Sequence, residues 1–99
     1  MTRNEQVTAL RAKVGEERTA LENLEQKFRE PSMKEEAQGA LMRLDDTEYE
    51  ITRLNIRPMT DFEFAGAIQN AKLPYKLAVA TRIKLHNRMV TIGPGAMAI

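Results

Sequence analysis

The sequence predicts a mainly α chain (α+β) with an N-terminal antiparallel helical hairpin or coiled coil over residues 1–56, a short third helix, a C-terminal β-hairpin and an apolar tail. Three observations predict it. Apolar residues recur at seven-residue spacing in two stretches of nearly equal length, one proline separates those stretches, and beyond residue 74 the apolar period changes from 3.6 to 2.

In the first stretch Val7, Leu10, Val14, Leu21, Leu24 and Phe28 fall on positions a, d, a, a, d, a of a repeat of seven, and only Glu17 breaks the series at a d position. The residues between are mostly Arg, Glu, Lys and Gln, good helix formers, so the stretch reads as an amphipathic helix with a narrow seam. Acid–base pairs such as Glu25 and Arg29 each add ~0.3 kcal/mol on a solvated face. The charges read as ordinary surface.

Pro31 is expected to stop this helix, because it disfavours the α conformation at Glu30 and has no N–H to donate. Ser32 and Glu35 have the spacing of a capping box, so the one serine of the chain reads as a helix cap and not as a nucleophile. Met33, Ala37, Ala40, Leu41, Leu44, Ile51 and Leu54 then give a second stripe. Two rods of about 35 Å with so short a connection favour antiparallel neighbours. The alternative is a helix continuing nearly straight past Pro31, which makes an extended coiled coil. Two helices alone cover only one seam, and a chain of about 100 residues sits where core area barely offsets conformational entropy. The C-terminal part of the chain, a second copy or a larger assembly is therefore expected to cover the stripes.

Composition changes at Ile56. Residues 1–56 hold nine Lys and Arg against twelve Asp and Glu, a net of −3, whereas residues 57–99 hold six against two, a net of +4. The division predicts a helical hairpin over 1–56 and a small basic module with a tail over 57–99. Complementary halves dock on each other or on neighbouring copies; the sharper alternative is that Arg82, Lys84, His86 and Arg88 contact a polyanion or an acidic partner. A pI near 8.1 favours docking.

Thr60 and Glu63 repeat the capping-box spacing, and Phe64, Ile68 and Ala71 recur at helical intervals up to Leu73, which predicts the short third helix. Pro74 ends or kinks it. After it Leu77, Val79, Thr81, Ile83 and Leu85 alternate with Ala78, Ala80, Arg82, Lys84 and His86, and a loop at Asn87 and Arg88 sets Leu85 opposite Val90 and Ile83 opposite Ile92. A helix from Pro74 to Arg88 is the competing reading, since Leu77, Ala78, Ala80, Arg82 and Lys84 all suit helices. An isolated hairpin is marginal in water, so it needs the helices or an edge strand of another chain. Gly93, Pro94 and Gly95 block regular structure, leaving Met97 and Ile99 as an apolar tip for contact with a neighbour.

Catalytic constellations are thin. With no cysteine there is no thiol nucleophile, disulfide or cysteine zinc site, and His86 reads as an exposed polar residue without ligand partners nearby in sequence. Asp45, Asp46, Glu48 and Glu50 divide between two helix faces, which reads as a solvated acidic patch and not as a metal site. Neither Gly93 nor Gly95 precedes the lysine and helix of a phosphate loop. No cofactor is expected. The charged N-terminus lacks an apolar signal core and no run of eighteen apolar residues occurs, so the expected setting is the cytoplasm or the inside of a particle, away from membranes. The expected function is a non-enzymatic structural subunit that forms a homo-oligomer or decorates a larger complex, such as a virus or phage particle. The alternative is a dimeric nucleic-acid-associated regulator using the basic C-terminal half, although only Tyr75 stands there for base stacking.

Overall fold

Each helix starts where the chain supplies partners for the orphan amides of a first turn. At the N-terminus Thr2 and Glu5 form a reciprocal capping box, with the Glu5 N–H donating to Thr2 Oγ1 at 3.1 Å and the Thr2 N–H to Glu5 Oε1 at 3.3 Å. This opens α1, Arg3–Lys27. The helix ends at Phe28, whose backbone turns extended while its N–H still donates to Glu25 O at 3.1 Å. α2, Pro31–Leu54, begins on proline itself. At a first helical position the missing N–H of proline costs nothing and its fixed φ suits the helix. The Lys34 N–H donates to Glu30 O at 3.2 Å, so Ser32 lies inside the first turn and is not the cap its spacing suggests. α3, Asp61–Ile92, opens with the expected box: the Glu63 N–H donates to Thr60 Oγ1 at 3.1 Å and the Thr60 N–H to Glu63 Oε1 at 3.2 Å.

The computed structural model describes residues 1–54 and 58–92, with side chains through Val90. The composition change at Ile56 and the tail residues Met97 and Ile99 lie outside the described residues. α1, α2 and α3 run up, down and up in a rod of 53 × 21 × 16 Å. The expected helical hairpin is present, with α3 packed along it.

The expected C-terminal β-hairpin is overturned. No strand occurs among the described residues, and α3 continues for 32 residues through Pro74 and through Asn87 and Arg88, the supposed loop. The short third helix is likewise only the first part of α3. The residues that decide it are Phe64, Ile68, Ala71, Tyr75, Ala78, Arg82, Leu85 and Met89, at alternating steps of four and three and all buried or half-buried. That is a seven-residue seam, hidden because two of its members are alanine and one is arginine. Proline inside a helix removes one bond to the carbonyl four residues back and crowds that turn. The carbonyl so deprived is that of Asn70; beside it Thr47 Oγ1 of α2, fully buried, donates to Ala71 O at 2.9 Å and ties this turn to α2.

The core lies where the three seams meet. Val7, Leu10, Val14 and Leu21 of α1 join Ala40, Leu44, Ile51 and Leu54 of α2 and Phe64, Ile68, Ala71 and Ala78 of α3, with Leu41 and Tyr75 packed against them. A second cluster near the α1–α2 turn holds Leu24, Phe28, Met33, Ala37 and Leu85. Each large buried side chain contributes about 1.5–3 kcal/mol. α2 packs on α3 more extensively than on α1. The alanines at 37, 40, 71 and 78 are buried between these helices' seams and let the backbones approach. Arg3 fastens the open end, donating from Nη1 to Met59 O at 2.8 Å and from Nη2 to Asp61 Oδ1 at 2.6 Å, with its guanidinium 5.2 Å from the Phe64 ring centre.

Candidate interaction surface

Val7, Leu10, Val14, Leu21, Leu24, Phe28, Leu44, Ile51 and Leu54, expected as a packing or oligomer seam, are all buried within one chain, and Leu41 is partly buried beside them. Glu17 is not a flaw in that seam. It is 5% exposed, and Arg82 of α3 donates from Nε to its Oε2. Arg82 stands between Ala78 of the first cluster and Leu85 of the second, so the ion pair marks the junction of the two clusters. Tyr75 lies on the same side of α3; burial first, then the carboxylates of Glu17 and Glu16, push its phenol above the ordinary value.

Of the four residues expected to meet a polyanion or acidic partner, three meet carboxylates of their own chain. Arg82 pairs with Glu17, while Lys84 Nζ is 3.7 Å from Glu36 Oε1 and Arg88 Nη1 is 3.5 Å from Glu36 Oε2. The Glu36 contacts are charge contacts at the long end, since its shielded Oε2 accepts no hydrogen bond. His86 is exposed and, with Asn23, Lys27 and Arg82, edges a small hollow of about 140 Å³ between α1 and α3. On the opposite flank Arg18 joins α1 to α2 through Asp45 Oδ1 at 2.6 Å and Glu48 Oε1 at 3.3 Å. The hydrogen bond to Asp45 holds the Arg18 guanidinium above its ordinary pKa. These two acids are thus part of a helix–helix tie. No group of three or more His, Cys, Asp or Glu that could hold a metal ion occurs among the described residues.

The sequence reading missed the outward faces of α2 and α3. Leu73 and Leu77 are 56% and 50% exposed on α3, followed by Ala80 and half-exposed Ile83; on α2 Met42 and Tyr49 are 68% and 64% exposed. The two sets lie at one height. Thr47 touches the Ala71 carbonyl and Glu36 faces Lys84 and Arg88, so antiparallel α2 and α3 bring residues 42–49 level with residues 70–77. Scattered exposed apolar residues are normal on any protein; these four stand level with each other on the outer sides of two adjacent helices. The outer face of α2 carries both signs, Glu35 and Asp46 with Arg53, whose guanidinium stands 5.8 Å from the Tyr49 ring centre, while Lys84 on the outer face of α3 already faces Glu36. The signal in the sequence was a second seven-residue spacing, Met42 to Tyr49 and Leu73 to Ala80, offset from the buried one. No helix among the described residues is long and apolar enough to cross a membrane. Comparison with family models, with curated proteins and with solved structures found no match for the chain, which leaves these surfaces to carry its functional reading.

Proposed function

We propose that this chain is a non-enzymatic assembly subunit, a three-helix rod that joins other protein through the outer face of α2 and α3. One observation carries the reading. Leu73, Leu77, Met42 and Tyr49 stay at least half exposed on a bundle whose inner seams are filled by its own three helices. Burying such side chains against a partner contributes about 25 cal/mol for each Å² of apolar surface removed from water. The pairing of Arg82, Lys84 and Arg88 with Glu17 and Glu36 supports this reading over a phosphate-binding one, because cations engaged at home neutralise phosphates less readily.

The test is the mass of the full chain in solution, with and without duplex DNA and single-stranded RNA, at physiological ionic strength. The expected result is no tight nucleic-acid complex. Tight binding that weakens steeply with salt, with a logarithmic slope near −0.9 per phosphate contact, overturns the reading.

A further inference from the structure

We infer that the hollow between α1 and α3 is a binding site for one carboxylate group carried on a short aliphatic stem. It stands apart from the outer face of α2 and α3. Its four polar lining residues, Asn23, Lys27, Arg82 and His86, can all donate hydrogen bonds, and among the described residues no acid lines it. Asn23, Lys27 and His86 have no hydrogen bond or ion pair among the described residues, so all three are open to a ligand.

Arg82 is the fixed member of the set. Glu17, itself 5% exposed, accepts from its Nε and so sets where the guanidinium lies. A guanidinium has five N–H donors, and one engaged at Nε keeps its terminal amino groups for a second carboxylate. Charge balances when that carboxylate arrives, because Arg82 and Lys27 then face Glu17 and the ligand, two cations for two anions. The end of α1 opposes an anion here, since Lys27 is the last residue of that helix and a helix C-terminus acts as about half a negative charge. That effect is confined to the last turn and is smaller than the full charge on Lys27. α3 ends at Ile92, about 9 Å along the axis past His86, so its own end adds little.

Size and lining select the carrier of the charge. A volume of about 140 Å³ is on the order of ten times what one water molecule needs, room for a few heavy atoms and no more. Leu24, which is buried, and half-buried Met89 line the hollow beside the donors. A bare inorganic anion leaves that apolar wall wet, whereas two or three methylenes cover it. Each methylene buried there should tighten binding about three- to four-fold.

His86 is the one histidine of the chain, so its ring resonances report on the hollow alone. The full-length protein is titrated with sodium acetate, propionate and butyrate, and with the blocked amino acid N-acetylglutamate α-amide, and followed by proton NMR. The pH is fixed, and sodium chloride holds the ionic strength constant. The expected result is a saturable shift of the His86 ring with half-points in the millimolar range, falling about three-fold for each added methylene. Lys27→Gln and Asn23→Ala should each weaken it several-fold; both positions are exposed, so both variants should fold as wild type does. Tighter binding of the blocked glutamate than of butyrate names an acidic side chain of a partner protein as the source of the group, and the reverse names a free small acid. A shift that fails to saturate, that is equal for acetate and butyrate, or that Lys27→Gln leaves unchanged overturns the inference.

Discussion

The hairpin of α1 and α2 and the long helix α3 have similar local chemistry but opposite legibility. Each hairpin helix concentrates its large aliphatic residues on one face, and a seven-residue count finds Val7 to Phe28 and Met33 to Leu54 directly. α3 divides its apolar residues between an inner seam and an outer stripe. Helical residues two apart point about 200° away from each other. A helix with apolar residues on opposite faces therefore reads as alternation, the pattern that otherwise marks a strand. Leu77 and Ile83 belong outside, Leu85 inside, and Val79 and Thr81 on the flanks, yet in sequence they form one alternating run. Period tells the number of environments an element touches as much as its type.

The sharpest way to break this comparison is to place the same charge on the two faces of α3. Leu85→Asp buries an unpaired carboxylate at a fully buried site and should cost several kcal/mol, enough to unfold a domain of this size. Leu77→Asp, eight residues earlier on the outer face, should leave chemical denaturation of the dissociated chain within about 0.5 kcal/mol of wild type. Equal losses at the two sites, in urea titrations followed by circular dichroism at low protein concentration, would show that α3 does not have two kinds of face.

A second comparison lies within the Glu17 and Arg82 pair, whose partners are unequally buried, at 5% and 32% side-chain exposure. Arg82→Met strands a carboxylate inside the bundle and should cost about 3–5 kcal/mol. Glu17→Gln leaves an arginine that can swing its head toward water along its flexible stem, so the loss should stay near 1 kcal/mol. Replacing both by leucine and methionine should recover most of the loss, because apolar side chains of similar volume replace such pairs at little cost. The midpoints of urea unfolding check the order, and a Glu17 substitution that costs more than the Arg82 one contradicts it.

Legibility followed side-chain size and sign. The hairpin, its lengths and the Thr60 cap were readable because leucine, valine and the Thr-x-x-Glu spacing each point to one structure. The Thr2 cap carries the same spacing with Glu5 and was legible in principle. Glu17 and Thr47 were unreadable as core because a polar residue on a seam is interpretable only once its partner is known, and Arg82 and the Ala71 carbonyl are 65 and 24 residues distant. Pro74 misled in the same way. Proline inside a helix costs one hydrogen bond and some crowding, and here the packing of α3 along α2, with Thr47 tied to Ala71 O in the adjoining position, accompanies a helix that continues through it.

That tie gives a third test. Thr47→Val keeps the shape and removes the donor to Ala71 O, and should cost about 1–3 kcal/mol. If the hydroxyl steadies the turn crowded by Pro74, the cost should shrink when Pro74→Ala restores the backbone donor to the neighbouring Asn70 carbonyl. A double-mutant cycle reads this as a coupling of at least about 0.5 kcal/mol. Strict additivity would mean that Thr47 and Pro74 act independently.

The smallest effect compares the continuity of the two regions. Gly15 in α1 and Gly66 in α3 are exposed helical glycines, and a Cβ added at either meets nothing within 4 Å. Alanine at such a site removes unfolded-state freedom without a steric penalty, which stabilises a helix interior by roughly 0.5–1 kcal/mol. Gly66 lies eight residues before Pro74, on the part of α3 between its cap and its disrupted turn. If α3 is one continuous helix, the gain at Gly66 should equal that at Gly15 within about 0.3 kcal/mol. A gain at Gly15 with none at Gly66, measured by thermal and urea melts at one protein concentration, would mean that the segment before Pro74 is only loosely joined to the rest of α3, and that the hairpin carries more of the fold than the third helix does.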